Sequence, residues 1–408
     1  MLMICYMSFV WQKPKKKIFC NFCMGMMTFL HFMSHKIYAG CTFNLKESIL
    51  RSPGYFCPRL HSLLFFTHDD GYPLNRCNIS FIFRIFKLLK VLDLRQVHLG
   101  DFFPTEIELL VRLRYLAILG VMQSIPSSIA NLPNLETFLI EVYYGAVLLP
   151  DTIWNMTKLR HLHINGGFFD FSPAEENLNN SSDLNNIDTF FTPMLYVGQQ
   201  MKRVLRKLSR IRRLKCKVSE SKESTEHCHR VVAMEFLSQL ESLKLSLYDM
   251  KQHHADFCFP SSLKKLTLMS FCWSAIPPIG KLPNLEVLKL LGDHGGEAWE
   301  TKEGEFTKLQ ILVLELLDIV RWTGEDDRVS YLQRLVMQNC MQLIQVPHCL
   351  RYISTLETIE LDWCLDSLAS LVREIEEEHM SMGNEDLSLG RTLNTDLLSV
   401  NFSSKICL

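Results

Sequence analysis

Apolar residues recur along this chain in a short fixed phrase. Leu135-x-x-Phe138-x-Ile140 is one copy, and Leu159-x-x-Leu162-x-Ile164 repeats it 24 residues later. The fourth and sixth positions share one face of an extended strand, because side chains alternate along a strand. The polar residues between them face the other way. The phrase reopens at Leu60, Leu89, Leu113, Leu135, Leu159, Ile211, Leu240, Leu263, Leu285, Leu309, Leu332 and Leu356. The intervals are 22 to 29 residues, except for one of 52 between Leu159 and Ile211. That gap holds Leu184-x-x-Ile187-x-x-Phe190, read here as a degenerate unit stretched by the Asn/Ser-rich run Glu175 to Asn186, within a loop insertion over 168–186. The chain then has about thirteen units.

A period of this length, with this phrase, is the mark of a leucine-rich repeat. It predicts an α/β solenoid, a horseshoe with a parallel sheet on its concave face and short helices, 3-10 turns and loops on its convex face. Phe103-Pro104-x-x-Ile107, Ile125-Pro126-x-x-Ile129 and Leu149-Pro150-x-x-Ile153 are placed on the convex side, since proline cannot serve a central ladder. Asn131 and Asn155 precede strands and are expected to bond to backbone in the return turn. The segment Asn78 to Phe86 reads as a helical turn packed beneath the second unit. Gly292 to Gly304 and Thr323 to Arg328 read as looser convex loops, and 168–186 as a mobile one.

The repeat domain is assigned to 51–364, a capping helix to 365–389 and a disordered tail to 390–408. Leu368, Leu371, Val372 and Ile375 stand at helical spacing in that cap, which must hide the last open core. Residues 1–50 do not fit the pattern and are set apart as an atypical segment. Their uncharged run Ile18 to Met33 is shorter than the roughly 20 residues a spanning helix needs, so a membrane role is not expected.

Composition alters this picture little. A net charge of −1 argues against a generally basic nucleic-acid binder. Fourteen cysteines are diffuse, with Cys216 at a strand core position and Cys340 and Cys364 eight residues after their opening leucines. These read as small buried hydrophobes, and thiols without a disulfide framework suit a reducing cytoplasm. Five glycosylation sequons, at Asn78, Asn155, Asn179, Asn180 and Asn401, weigh little in so Asn-rich a chain.

On the concave face the outward positions are the two after the opening residue and the one two further on. Their basic members include Lys244, Lys289 and Arg334, and the candidate partner-binding residues among them are Lys90, Arg114, Arg160, His161, His163, Arg212, Arg213, Lys215, Lys264 and Lys265. The last unit, with Glu357 and Glu360, is acidic. A basic centre attracts an acidic protein surface and speeds encounter, while the bland alternative is a face kept charged for solubility. The segment Lys202 to Lys217 holds nine basic residues and no acid. Half of them are dictated by the repeat frame and no aromatics are interleaved, so nucleic acid is not the expected partner.

No catalytic constellation is found. Neither G-x-S-x-G, HExxH nor a G-x-x-x-x-G-K-[ST] phosphate loop occurs, and no cofactor is expected in this chain. Cys20-x-x-Cys23 with His31-x-x-x-His35 has too short a gap for a zinc finger, and His227-Cys228-His229 is crowded into one turn, so no metal site is assigned.

Several phrases resemble those of plant disease-resistance proteins of the coiled-coil, nucleotide-binding, leucine-rich class, and within it the late-blight resistance homologues. They are FKLLKVLDL (Phe86 to Leu94), EIELLVRLRYLAI (Glu106 to Ile118), SIPSSIANLPNLETFLI (Ser124 to Ile140), LPDTIWNMTKLRHLHI (Leu149 to Ile164) and EIEEEHMSMGNEDL (Glu374 to Leu387). The resemblance implies an intracellular, non-enzymatic recognition module of plant defence. Its partners would be a pathogen effector, a guarded host protein or a nucleotide-binding switch domain (NB-ARC). ADP or ATP would bind only that switch domain, of which this sequence shows no motif. Two alternatives remain from the residues: an extracellular receptor ectodomain, although its LxxNxLxGxIP phrase is absent, and an F-box-type substrate adaptor.

Overall fold

The computed structural model describes residues 27–33, 36–42, 61–65, 80–99, 103–143, 145–166, 168–171, 184, 186–197, 199–219, 230–248, 255–271, 277–293, 297–324, 331–382 and 387–391. Its inner face is one ladder whose strands follow in chain order. They are β1 (Met27–Met33), β2 (Lys36–Thr42), β3 (Ser62–Phe65), β4 (Val91–His98), β5 (Tyr115–Gly120), β6 (Thr137–Val142), β7 (His161–Asn165) and β8 (Thr189–Tyr196). The ladder continues as β9 (Arg213–Ser219), β10 (Ser242–Leu247), β11 (Lys265–Phe271), β12 (Val287–Asp293), β13 (Ile311–Glu315), β14 (Arg334–Gln338), β15 (Thr358–Asp362) and β16 (Ser388–Arg391). β1 and β2 form an antiparallel hairpin, and β2 runs parallel to β3. From there each strand lies parallel to the next.

The phrase explains this order. Leu92, Leu116, Phe138, Leu162, Phe190, Leu214, Leu243, Leu266, Leu288, Leu312, Leu335 and Ile359 stand in register across the ladder, and all are buried. Each of these side chains packs between its counterparts in adjacent turns, so the core grows lengthwise.

The convex side is built from the proline connectors. Thr105–Leu109, Ser127–Asn131, Asp151–Asn155 and His348–Tyr352 are 3-10 helices, each directly preceded by a proline. The carbonyls of Pro104, Pro126, Pro150 and Pro347 accept the amides of Ile107, Ile129, Ile153 and Leu350 at 3.0–3.2 Å. Those four side chains turn inward and are buried. Helix α1 (Ser80–Ile85) buries Ile82 and Phe83 beneath the second unit, as the sequence predicts.

Several boundaries differ from expectation. The sheet reaches back into the segment set apart as 1–50, through β1 and β2. The insertion begins not as a loop but as a convex strand, Phe168–Phe171, paired with Ala146–Leu149; residues 172–183 and 185 lie outside the described residues. The second convex region also holds a ladder, Ala298–Thr301 against Arg321–Gly324, with Trp299 stacked on Trp322 at 4.9 Å. Helix α2 (Gln199–Arg206) is convex, with Met201, Val204 and Leu205 buried. The long basic run is therefore divided between that helix and the concave strand β9.

At the far end, helix α3 (Asp366–Ser381) buries Leu368, Ala369, Val372 and Ile375 and caps the core. The buried His379 ring bonds Leu350 O at 2.9 Å, and Arg351 pairs with Glu374 and Glu378. After α3 the chain adds β16 to the ladder, so the fold runs to Arg391 and past the expected start of the tail. Cys216 and Cys340 are buried as expected, whereas Cys364 is only half-buried.

Candidate functional site

In every regular turn the residue three before the opening one is apolar and its carbonyl accepts the opening amide. Leu110 with Leu113, Leu132 with Leu135, Met156 with Leu159 and Leu208 with Ile211 do this. Ile187 bonds Leu184 in the same way, at 3.1 Å. The unit in the long gap therefore opens at Ile187, and Leu184 is the preceding apolar residue. The register agrees: Thr189, Phe190 and Phe191 lie opposite His161, Leu162 and His163 on one side and Arg213, Leu214 and Lys215 on the other. The concave face thus gains Asp188, Thr189 and Phe191, which the degenerate phrase conceals in the sequence.

Asp188 changes the electrostatics. Lys90, Arg114, Arg160, Arg212 and Lys264 occupy the position just after the opening residue, along the edge where strands begin. Acids occupy the same position in alternate turns, and three arginines close onto them: Arg114 on Glu136 at 2.7 Å, Arg160 on Asp188 at 2.6 Å and Arg212 on Glu241 at 2.7 Å. The Arg212 hydrogen bond holds the Glu241 carboxyl below its ordinary range. This edge forms an open groove of about 790 Å³, lined by Arg114, Glu136, Arg160, Asp188, Arg210 and Arg212 among others. Its signs alternate, so it is not the uniformly basic strip that the sequence suggests.

The two histidines also drop out of the basic set. His161 Nδ1 lies 2.8 Å and His163 Nε2 2.6 Å from the buried Thr189 hydroxyl, and His163 stacks on Phe191 at 4.1 Å. Burial pushes the His163 imidazole down to about 4, with His161, Arg213 and Lys215 adding in the same direction. Burial lowers His161 as well. Both rings are neutral at pH 7 and serve as an aromatic, hydrogen-bonded floor.

Further positive charge lies on the strand faces. Arg213, Lys215 and Lys217 project from β9, Lys244 from β10, Lys265 from β11 and Lys289 from β12. Neighbouring strands sit about 4.8 Å apart, which packs these six cations into one patch beside the histidine floor. Lys244 and Lys289 occupy outward positions that the repeat frame predicts, although they are not among the ten candidates, and Lys217 lies two residues past the frame's last outward position. Toward the N-terminal end a different cluster spans three strands. Arg95 grips Asp93 through two oxygens, at 3.0 and 2.6 Å, and reaches Glu141 at 3.2 Å. Burial, and then Asp93, pushes the adjacent Tyr115 phenol up to about 12.

Polar side chains also tie turn to turn. The amides of Asn134, Asn186 and Asn284 donate to Val111 O, Thr157 O and Ser261 O of the preceding turn, at 2.7–3.0 Å. Asn131, expected to bond backbone, instead donates to Glu108. No group of three potential metal ligands occurs among the described residues, and no helix among them is long and apolar enough to cross a membrane. Cys20, Cys23, His35, the His227-Cys228-His229 cluster and Asn78, Asn179, Asn180 and Asn401 lie outside the described residues.

A family model for a leucine-rich repeat region matches residues 74–293, more than half of the chain. The chain belongs to that leucine-rich repeat family. Among its relatives, one putative late blight resistance protein homolog of Solanum demissum is 38% identical over 76% of this chain and 24% of its own length. A second late blight resistance homolog of the same species is 35% identical over 84% of this chain and 26% of its own length. The repeat chain thus spans about a quarter of the length of the curated relatives it matches. A leucine-rich repeat protein of Leptospira interrogans aligns over 81% of this chain and 90% of its own, at 16% identity and a TM-score of 0.42.

Proposed function

We propose that this solenoid is the protein-binding part of an intracellular plant immune receptor, and that it works by binding rather than by chemistry. The patch of Arg213, Lys215, Lys217, Lys244, Lys265 and Lys289 carries this reading, because ladder register gathers six cations from four successive turns. Such a patch favours an acidic protein surface and raises its encounter rate. The partner classes are a pathogen effector, a guarded host protein or the nucleotide-binding switch domain of a longer relative, acting in the cytoplasm. Similarity to late blight resistance homologs supports that biological setting.

The test is titration of the full chain with the switch-domain fragment of such a homolog, at two salt concentrations. Association should weaken at least tenfold in Arg213→Glu/Lys215→Glu/Lys265→Glu, and should fall with salt. Arg160→Glu, on the alternating edge, should do less. Unchanged association in the triple variant removes the basic face from the mechanism.

A further inference from the structure

At the rim where concave strands end, six turns among the described residues pass through a left-handed residue seven positions after the opening leucine. Gly166 and Gly292 fill this position in two turns, with φ of +82° and +57°. Ser270 fills it at +54°, and the last three turns fill it with Leu316, Asn339 and Trp363, at φ of +55°, +53° and +50°. A side chain with a Cβ is strained in this region, and leucine and tryptophan have no local hydrogen bond to offset that strain. Yet neither is buried. Leu316 is 56% exposed and Trp363 53%, and Met341, just after Asn339, is 52% exposed. Strained residues that no core contact requires point to function.

The three turns are welded side by side. Leu316 N donates to Gln338 O, and Asn339 N to Asp362 O, so the rim continues the ladder one step beyond the strands. With about 4.8 Å per turn, Leu316 and Trp363 stand roughly 10 Å apart. Around them the rim is acidic: Glu315 and Asp318 in the first of these turns, Asp362 and Asp366 in the last. The same stretch, from Glu315 to Ile319, Gln338 to Gln342 and Asp362 to Asp366, holds no lysine or arginine.

We propose that this rim is a second docking surface, and that it takes a protein segment whose apolar side chain is flanked by lysine or arginine. The apolar residue seats against Leu316, Met341 and Trp363, and the cations meet the surrounding carboxylates. Charge complementarity selects the partner, since every charged residue in these stretches is an acid. The surface is separate in sign and place from the basic patch on β9–β12, so two faces of one solenoid engage opposite charges. It rests on the protein-binding reading of the fold, though not on the basic patch.

The experiment uses the full chain and three labelled twelve-residue peptides that share a central Leu-Trp pair and differ in flanking Lys, Ser or Glu. Fluorescence anisotropy should show the Lys peptide binding at least tenfold tighter than the Ser peptide, with no binding by the Glu peptide. Trp363→Gly and Leu316→Gly should each weaken the Lys peptide at least tenfold while Tm stays level or rises, because glycine relieves the left-handed strain. Arg213→Glu/Lys215→Glu/Lys265→Glu should leave this binding intact, which separates failure of the rim from failure of the basic face. Equal affinity for all three peptides, unaltered binding in Trp363→Gly, or a Tm that falls in that variant overturns the proposal. So does concentration-dependent dimerisation lost in Trp363→Gly, which would make a second copy the occupant.

Discussion

His163 sits between a stacked phenylalanine ring and a threonine hydroxyl, and that placement sets its protonation. Its folded value of about 4 lies below the ordinary 6.5. The unfolded chain therefore binds the extra proton first as pH falls. The stabilisation from the neutral ring is complete above about 6.5 and is lost progressively toward 4, by up to about 3 kcal/mol. Denaturant unfolding from pH 7.5 to 4.5 should show this loss, and His163→Phe should flatten the curve. The exposed arginine pairs behave otherwise. Arg160 meets Asp188 at 2.6 Å with more than half of its side chain in water, so screening leaves the pair little net effect. Arg160→Ala should cost less than about 1 kcal/mol, measured by chemical unfolding. Neither outcome is legible from residue types alone. A histidine at an outward strand position reads as a cation until its neighbour is known to be Phe191, and an arginine reads as free until a carboxylate one turn away is placed beside it.

A single turn is the natural unit of both folding and misreading. Its strand residues, its Pro-x-x-Ile connector and its returning asparagine are set by local chemistry, and they stand out wherever the interval stays near 24 residues. Burial of Ile153 beneath its strand predicts that Ile153→Ala destabilises by about 2–4 kcal/mol. At Gly166 a Cβ would stand 1.8 Å from Val142 O, so Gly166→Ala should be at least as damaging despite its smaller change in volume. Both values follow from equilibrium unfolding. The turn after Leu159 is easily misframed, because Leu184 and Ile187 are both apolar and both buried, three residues apart. Hydrophobicity does not choose between them; the hydrogen-bond partner of Ile187 does. Convex ladders such as Ala298–Thr301 with Arg321–Gly324 escape the pattern for a related reason. Their strands are four residues long, too short for alternation to stand out from a loop.

Across the whole molecule each turn packs mainly on its neighbours, so stability is largely local. The end is held by α3, through Leu368, Val372 and Ile375 and the Arg351 pairs. Val372→Asp should loosen the last turns first. Amide exchange should quicken in Arg334–Gln338 and Thr358–Asp362, while Tyr115–Gly120 and Thr137–Val142 keep their protection. Equal loss throughout would show a single cooperative block instead. The row of opposite signs along the strand-start edge also bears on how such an array can change length. Arg114, Glu136, Arg160, Asp188, Arg212 and Glu241 form three couples that each straddle a junction. Excising the one turn that carries Asp188 would set Arg160 against Arg212, whereas excising it together with either neighbour restores every couple. Losing one turn here therefore brings like charges together while losing two does not, a difference of less than about 1 kcal/mol for each exposed couple.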